Sequence, residues 1–369
     1  MTLFELFASY DDTFRKYVYV LPPKLTSLIY SNGRKFFLNR FVNRKIDPIK
    51  LPNELKIKAW DIEFNCGLFN AAGMFKDGRG YEVCYNMGAG AFLAGTTTYN
   101  PREGNKKDSI KHPFMPYYHS KMASNWMGLP NPGYEKVANV LSKIEKKKGC
   151  PIGVSTAFSN DEHALYEMYE CLKCYDEANV DFIELNVSCP NVPHSSSKEK
   201  IGLLPKDLVD KLEFVSQYFI KKCNRYLPII VKLSNDTSSK VIPALLDVLI
   251  DLKFSGINLG NTSTDYKFLR KYIKQKDRKQ FDYFTKTFGG GVSGEALKNN
   301  SLRLCKEVVE YLKDKRLREE FHCIRTGGIN CAGDIIESKN NGIILNEWFT
   351  GFFENFTKYG FNTYEKLFK

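Results

Sequence analysis

The chain has 369 residues, 43% of them hydrophobic and 14% aromatic, which excludes global disorder and leaves one large domain or two ordinary ones. Lysine and arginine outnumber aspartate and glutamate by 54 to 42, and the net charge of +12 suits small anionic ligands, nucleic acid or an acidic membrane surface. No window reaches the ~18 apolar residues of a membrane-spanning helix, and the opening MTLFELFASYDDTF has neither the basic-then-apolar pattern of a secretory leader nor the acid-poor composition of a transit peptide.

From Phe14 to Phe41 aromatic residues mix with lysine and arginine. The segment reads either as a helical cap on the main domain or as an amphipathic helix lying in a membrane interface. Residues 1–55 are therefore expected to form an N-terminal extension, and residues 56–369 the main domain.

After residue 55 a short apolar run, a few small or polar residues and a helical period recur. The runs are Gly67–Gly73, Ala89–Thr96, Pro151–Thr156, Asp181–Val187, Pro228–Ser234, Gly256–Gly260, His322–Gly327 and Gly342–Thr350. Helices are expected at Asp161–Asn179 with Asp161 as N-cap, at Pro205–Cys223, at Ser238–Leu252 and at Gly294–Lys313. Strands alternating with helices imply a parallel sheet. Eight such units predict an α/β fold of the closed (β/α)8 TIM-barrel type, with a doubly wound open sheet as the other solution. A barrel places its functional residues just after the strands, at the C-terminal face.

Two charged segments stand apart from this alternation. Lys146-Lys147-Lys148 reads as a solvated helix end. Residues 263–288 read as a mobile charged loop over the active-site face, either a lid or partner surface or a plain solvated insertion.

Small and polar clusters do follow the runs. Gly327-Gly328 and Thr350-Gly351 come after the last two, where this architecture binds phosphate through backbone N–H groups and a helix N-terminus. Gly289 to Gly294 is a further glycine-rich loop. Lys232 lies inside the apolar run PIIVKLS, so it must leave the core at the strand end or find an anion. There it would offset negative charge on a reduced cofactor.

The fourth run leads into Asn186-Val187-Ser188-Cys189-Pro190-Asn191. Prolines and asparagines stiffen such a loop, and a thiolate held in it would serve as base or nucleophile. The chain has ten cysteines, but Cys171 and Cys174 form a lone CxxC in a helical pattern, without a partner pair at zinc or iron–sulfur spacing. No metal site is expected. The cysteines fit a reduced, cytoplasmic chain without structural disulfides.

A set of motifs now stands in order: NAAGMFKDG, REGN, NWMGLPN, NVSCPNVP, IVKL, GNTST, GGVSG, TGG and FTGF. From about Lys58 to about Gly360 the chain resembles the dihydroorotate dehydrogenases, FMN-dependent (β/α)8 flavoproteins of pyrimidine synthesis. The resemblance implies oxidation of dihydroorotate to orotate through FMN, with Cys189 as the general base that takes the C5 proton. It implies that Asn125, Asn186, Asn191 and Asn261, with Thr262, bind the pyrimidine ring. Met127, Gly128 and Leu129 would cover that ring, and Lys76 would meet its carboxylate. It places Ala72, Gly73, Thr96, Ser155, Asn186, Lys232, Ser293, Gly294, Gly327, Gly328, Phe349 and Thr350 at the FMN.

The resemblance is a mosaic. Cys189, NWMGLPN and SCPNVP are similar to the soluble class with a cysteine base. Gly95-Thr96, Lys76, FTGF and the long segment before the barrel are similar to the membrane-associated class with a serine base. The electron acceptor then stays open between fumarate, quinone and another oxidant. A homodimer, and peripheral membrane contact through residues 1–50, stay open. The run Asn340 to Glu347 is a polar version of a usually apolar strand.

Two rival readings remain. A dihydrouridine synthase-like enzyme would use the positive charge on RNA, but it needs a C-terminal helical domain that the sequence past the last strand does not supply, so no nucleic-acid partner is expected. A non-catalytic FMN barrel would explain the polar last strand, but not the set of asparagines around Cys189.

Overall fold

The computed structural model describes residues 10, 13–15, 17–160, 162–187, 200–201 and 204–369. Eight parallel strands form one sheet. They are β1 Leu68–Asn70, β2 Phe92–Thr97, β3 Ile152–Thr156, β4 Phe182–Asn186, β5 Ile229–Leu233, β6 Gly256–Leu259, β7 His322–Thr326 and β8 Leu345–Trp348. Spatial order runs β1-β8-β7-β6-β5-β4-β3-β2. The seam between β1 and β2 closes through the Gly90 N–H to Leu68 O bond at 2.9 Å. The Asn70 side chain completes it like a strand of its own, donating to Leu93 O at 2.7 Å and accepting from the Leu93 N–H at 3.1 Å. The closed barrel excludes the doubly wound alternative.

Alternation along the strands sorts the residues. Outward side chains such as Ile183, Leu185, Val231 and Ile257 join the core under the helices. Inward side chains form two zones. At the N-terminal end Phe69, Leu93, Phe182, Ile230, Ile324 and Leu345 fill the barrel, closed below by Trp60 and Phe64 of the hairpin Ile57–Phe64. One step up, the inward positions turn polar: Glu184, Lys232, Asn258, Thr326 and Glu347.

The helices run Ala164–Glu177, Lys206–Tyr218, Ile242–Asp251 and Lys298–Lys313, close to the expected spans. The first has His163 at its N-cap position, without a side-chain capping bond; the expected cap, Asp161, lies outside the described residues. The last barrel strand is shorter than expected, because Thr350 already begins the helix Thr350–Tyr359. Lys146 to Lys148 form no helix end. They sit in the loop after Tyr134–Leu141, paired with Asp181, Glu145 and Glu63.

A second, smaller core covers the C-terminal face. The glycine-rich segment expected as a flexible loop is a strand, Gly291–Gly294, paired antiparallel with Met122–Asn125, which in turn pairs with Phe114–Tyr117. The 263–288 insertion is helical rather than a mobile charged loop. Its Leu269, Ile273, Phe281 and Phe284 are buried against Met115, Tyr117 and Val292. Polar spacing hid this packing, because the buried residues lie on one face only of the helix Arg278–Thr287.

The N-terminal helix Pro23–Phe41 takes the cap position. Ser31 Oγ accepts the Phe114 N–H at 3.0 Å, and Phe41 meets Phe352 and Phe356 edge-on. Its other side leaves Leu25, Ile29 and Phe36 exposed. Among the described residues no helix is long and apolar enough to cross a membrane.

Candidate active site

The strand ends and the small antiparallel sheet enclose a cleft at the C-terminal face of the barrel, where this architecture places its ligand sites. Its walls include Ala72, Gly73 and Lys76 after β1, Thr96 in β2, Asn186 in β4, Lys232 in β5, and Asn261 and Thr262 after β6. Asn125, Met127 and Leu129 come from the covering sheet and its loop, and Ser293 and Gly294 from the strand beside it. Gly327, Gly328, Phe349 and Thr350 complete the ring. The sequence-predicted residues thus converge from most of the barrel.

Two of them do not line the cleft. Ser155 lies one layer beneath, where its Oγ shares a 3.0 Å hydrogen bond with Thr96 Oγ1. Gly128 serves the turn between Met127 and Leu129. Its φ is +71°, and a Cβ there would lie 2.3 Å from Asn105 Oδ1. Cys189 and Asn191 lie outside the described residues.

Polar side chains on the wall hold one another. Asn261 Nδ2 donates to Asn186 Oδ1 at 3.3 Å, and Asn186 Nδ2 donates to Thr96 Oγ1 at 3.2 Å. Asn261 is fixed a second time, because its Oδ1 accepts the Thr262 N–H at 2.9 Å and its carbonyl accepts Asn235 Nδ2 at 2.6 Å. Lys76 Nζ lies 3.7 Å from Met127 Sδ, which places a cation at the same end as the asparagines.

At the opposite end the helix Thr350–Tyr359 opens onto the cleft without a side-chain cap. Its first N–H groups and its dipole favour an anion there. Ser293 Oγ and Thr350 Oγ1 bond each other at 2.9 Å at this end. Gly328 adds close backbone approach: its φ is +76°, and a Cβ would lie 2.4 Å from Lys298 Cα.

The floor carries charge. Lys232 does not snorkel out of the strand; it is only 3% exposed. Its Nζ lies 3.1 Å from both Glu184 oxygens and 2.7 Å from Glu347 Oε2. Asn258 Nδ2 donates to Glu184 Oε2 at 2.8 Å, and Thr326 Oγ1 to Glu347 Oε2 at 3.1 Å. Burial works against the Lys232 charge, yet the two carboxylates raise its pKa above the usual lysine value. Burial first, and then Glu184, push the Glu347 carboxyl up to about 8, against the pull of Lys232.

Glu184 and Glu347 escaped the sequence reading. Their signal was carboxylates at inward positions of apolar strands, in FIELN and ILNEW. Also missed was Asn131, the last residue of NWMGLPN, which ties that loop to Thr98. Among the described residues no group of histidines, cysteines and carboxylates has the arrangement of a metal site.

Comparison with known proteins points to a family. A family model described as dihydroorotate dehydrogenase matches residues 54–359. A dihydroorotate dehydrogenase (quinone) from Buchnera aphidicola subsp. Schizaphis graminum is 28% identical over 344 residues, covering 91% of this chain and 94% of its own. A protein of the same name from Christiangramia forsetii is 29% identical over 302 residues, covering 81% and 80%. Among solved structures, the Eimeria tenella enzyme DHODH in complex with ferulenol superposes with a TM-score of 0.73 at 18% identity, over 91% of this chain and 88% of that one. That last likeness concerns the fold.

Proposed function

The chain belongs to the dihydroorotate dehydrogenase family, oxidoreductases acting on a CH–CH bond, and from that premise we propose how its cleft divides the work. Dihydroorotate binds at the end formed by Lys76, Asn125, Asn186, Asn261 and Thr262, with Asn191 as a further amide and Met127 and Leu129 over the ring. Gly128 gives that covering loop its turn. The product is orotate, on the route to pyrimidine nucleotides. The observation that carries this reading is the convergence of one lysine and three asparagines, from separate elements, on the same cleft. Amides match the alternating N–H and C=O groups of the ring, and the ammonium matches its carboxylate.

The family implies a flavin, and FMN is the form the remaining residues suit. The uncapped N-terminus of Thr350–Tyr359, with Gly327, Gly328, Ser293 and Gly294, offers donors and close backbone for a phosphate. Ala72, Gly73, Thr96 and Phe349 line the space between that end and Lys232, with Ser155 holding Thr96 from below. Thr262 Oγ1 is buried without a hydrogen-bond partner among the described residues, as expected of a group that awaits a ligand. When bound, FMN supplies the two-electron acceptor for the hydride that leaves C6 of the substrate.

The chain's own residues do the rest. Cys189 takes the C5 proton, which is weakly acidic and needs a positioned base. The hydrogen-bonded chain Ser155–Thr96–Asn186–Asn261 keeps the amides in register, so that binding energy orients the ring instead of ordering the wall. Lys232 keeps an ammonium beneath the cofactor.

Quinone is the proposed acceptor in preference to fumarate. The relatives named for quinone align over nearly the whole chain, including much of the extension. The capping helix adds an apolar, aromatic wall beside the barrel. Its exposed Leu25, Ile29 and Phe36 suit peripheral membrane contact.

The deciding experiment is an anaerobic titration of the purified protein with dihydroorotate, followed at the flavin band near ~450 nm. Bleaching is expected, and recovery of the band on adding a soluble quinone but not fumarate identifies the acceptor. A flavin band untouched by dihydroorotate overturns the substrate assignment.

A further inference from the structure

Beneath the cleft one ammonium faces two carboxylates. Lys232, Glu184 and Glu347 are 3%, 1% and 0% exposed, so water screens none of them. With all three ionised, the cluster carries one net negative charge. A buried uncompensated charge is strongly disfavoured, and such a site relaxes by taking a proton. Geometry indicates which carboxylate takes it. Both Glu184 oxygens reach Lys232, and one also accepts from Asn258. Glu347 uses Oε2 alone, toward Lys232 and Thr326, while its Oε1 is buried without a partner among the described residues. Glu347 also lines the cleft, as Lys232 does.

We propose that Glu347 is a positioning residue for Lys232 and the proton-holding member of this cluster, so that its proton sets whether the cleft floor presents a balanced or a negative charge to a bound cofactor. With the proton on, Glu184 and Lys232 form a balanced pair. With it off, the floor gains a full negative charge beneath a ring that itself becomes more negative on reduction. Where pH is high enough for Glu347 to lose its proton, reduction of the cofactor is then coupled to proton uptake there. Among the described residues the charged groups facing Glu347 are Glu184 on β4 and Lys232 on β5; the neutral Thr326 on β7 donates to it, and Asn258 on β6 bonds Thr326 and Glu184. The elevated pKa of about 8 agrees with this reading.

The consequence for the cofactor rests on the flavin reading, whereas the proton itself does not. Two measurements therefore separate them. Infrared spectra of wild type against Glu347→Gln, taken from about pH 6 to about pH 10, report the proton directly. A protonated-carboxyl C=O band is expected in wild type at neutral pH, fading as pH rises through about 8, and absent in the variant. Spectra that differ by no such band overturn the proposal.

In the holoenzyme, the flavin midpoint potential of wild type is expected to fall more steeply with pH once pH passes about 8, whereas that of Glu347→Gln lacks the extra slope. Parallel lines for the two proteins overturn the coupling. If Glu347→Gln does not fold, Glu184→Gln serves instead. Removing the like charge there must move both the band and the bend to lower pH, and an unmoved transition counts against the proposal. Protein purified without flavin overturns the cofactor reading alone, and the infrared comparison still decides the proton.

Discussion

Asn131 Nδ2 donates to Thr98 Oγ1 at 2.9 Å, and Asn131 Oδ1 accepts the Thr98 and Gly133 N–H groups at 3.3 and 2.9 Å. With a further bond from Nδ2 to Leu129 O at 2.8 Å, one side chain locks the Met127–Leu129 loop to the end of β2. Asn131→Ala leaves those groups unpaired in a buried site, at a cost of ~1–3 kcal/mol. If loop position is what the bonds secure, kcat/KM for dihydroorotate falls roughly 5- to 150-fold, while flavin content stays at the wild-type level. Steady-state kinetics with a flavin assay on the same preparation test this, and equal loss of both would instead mark a general folding defect.

Cys189→Ala addresses the proposed base. A positioned base contributes about 10²–10⁴-fold, so turnover should drop by that order while the flavin band and the binding of orotate persist. Stopped-flow reduction of the flavin isolates the step. An unchanged reduction rate would remove Cys189 from the mechanism.

Gly328→Ala tests the proposed phosphate end. The new Cβ meets Lys298 Cα at 2.4 Å in a backbone at φ +76°, so the segment must move away from its present position. The expected result is a protein with an intact barrel by circular dichroism that retains markedly less FMN after dialysis. Wild-type retention would place the phosphate elsewhere.

The extension is joined to the rim of the cleft by an ion pair. Arg15 Nη1 lies 2.9 Å from Glu354 Oε1, both side chains are mostly buried, and Glu354 lines the cleft. Arg15→Ala strands the carboxylate, and breaking a buried pair costs ~3–5 kcal/mol. Proteolysis before Pro22 should accelerate and quinone reduction should weaken, with anaerobic flavin reduction by dihydroorotate little changed. Loss of that first half-reaction as well would give the extension a role in the substrate site.

The barrel was legible because its signal is local and repeated. Apolar runs such as PIIVKL and FIEL, each followed by a helical period, force the alternation, and the residues after each run are where a barrel puts its site. The covering sheet was not legible. Gly291–Gly294 has the composition of a turn, and its pairing with Met122–Asn125, distant in the chain, with Ser263 bridging Val292 on the other side, makes it a strand. The insertion at 263–288 was misjudged for a related reason. Lys271, Lys274, Lys276 and Lys279 dominate its composition, but Leu269, Ile273, Phe281 and Phe284 decide its structure once a second core exists to receive them.

What the sequence by itself determined was the periodicity, hence the (β/α)8 barrel, and the ordered motifs that identify the family. Both depend on residue types at short spacing. Tertiary structure alone decided that Lys232 is held by Glu184 and Glu347, that Asn70 closes the seam with Leu93, and that the extension is pinned at Glu354. Each of these joins side chains from separate strands or segments, where inward parity and barrel closure, not spacing along the chain, determine which charge meets which.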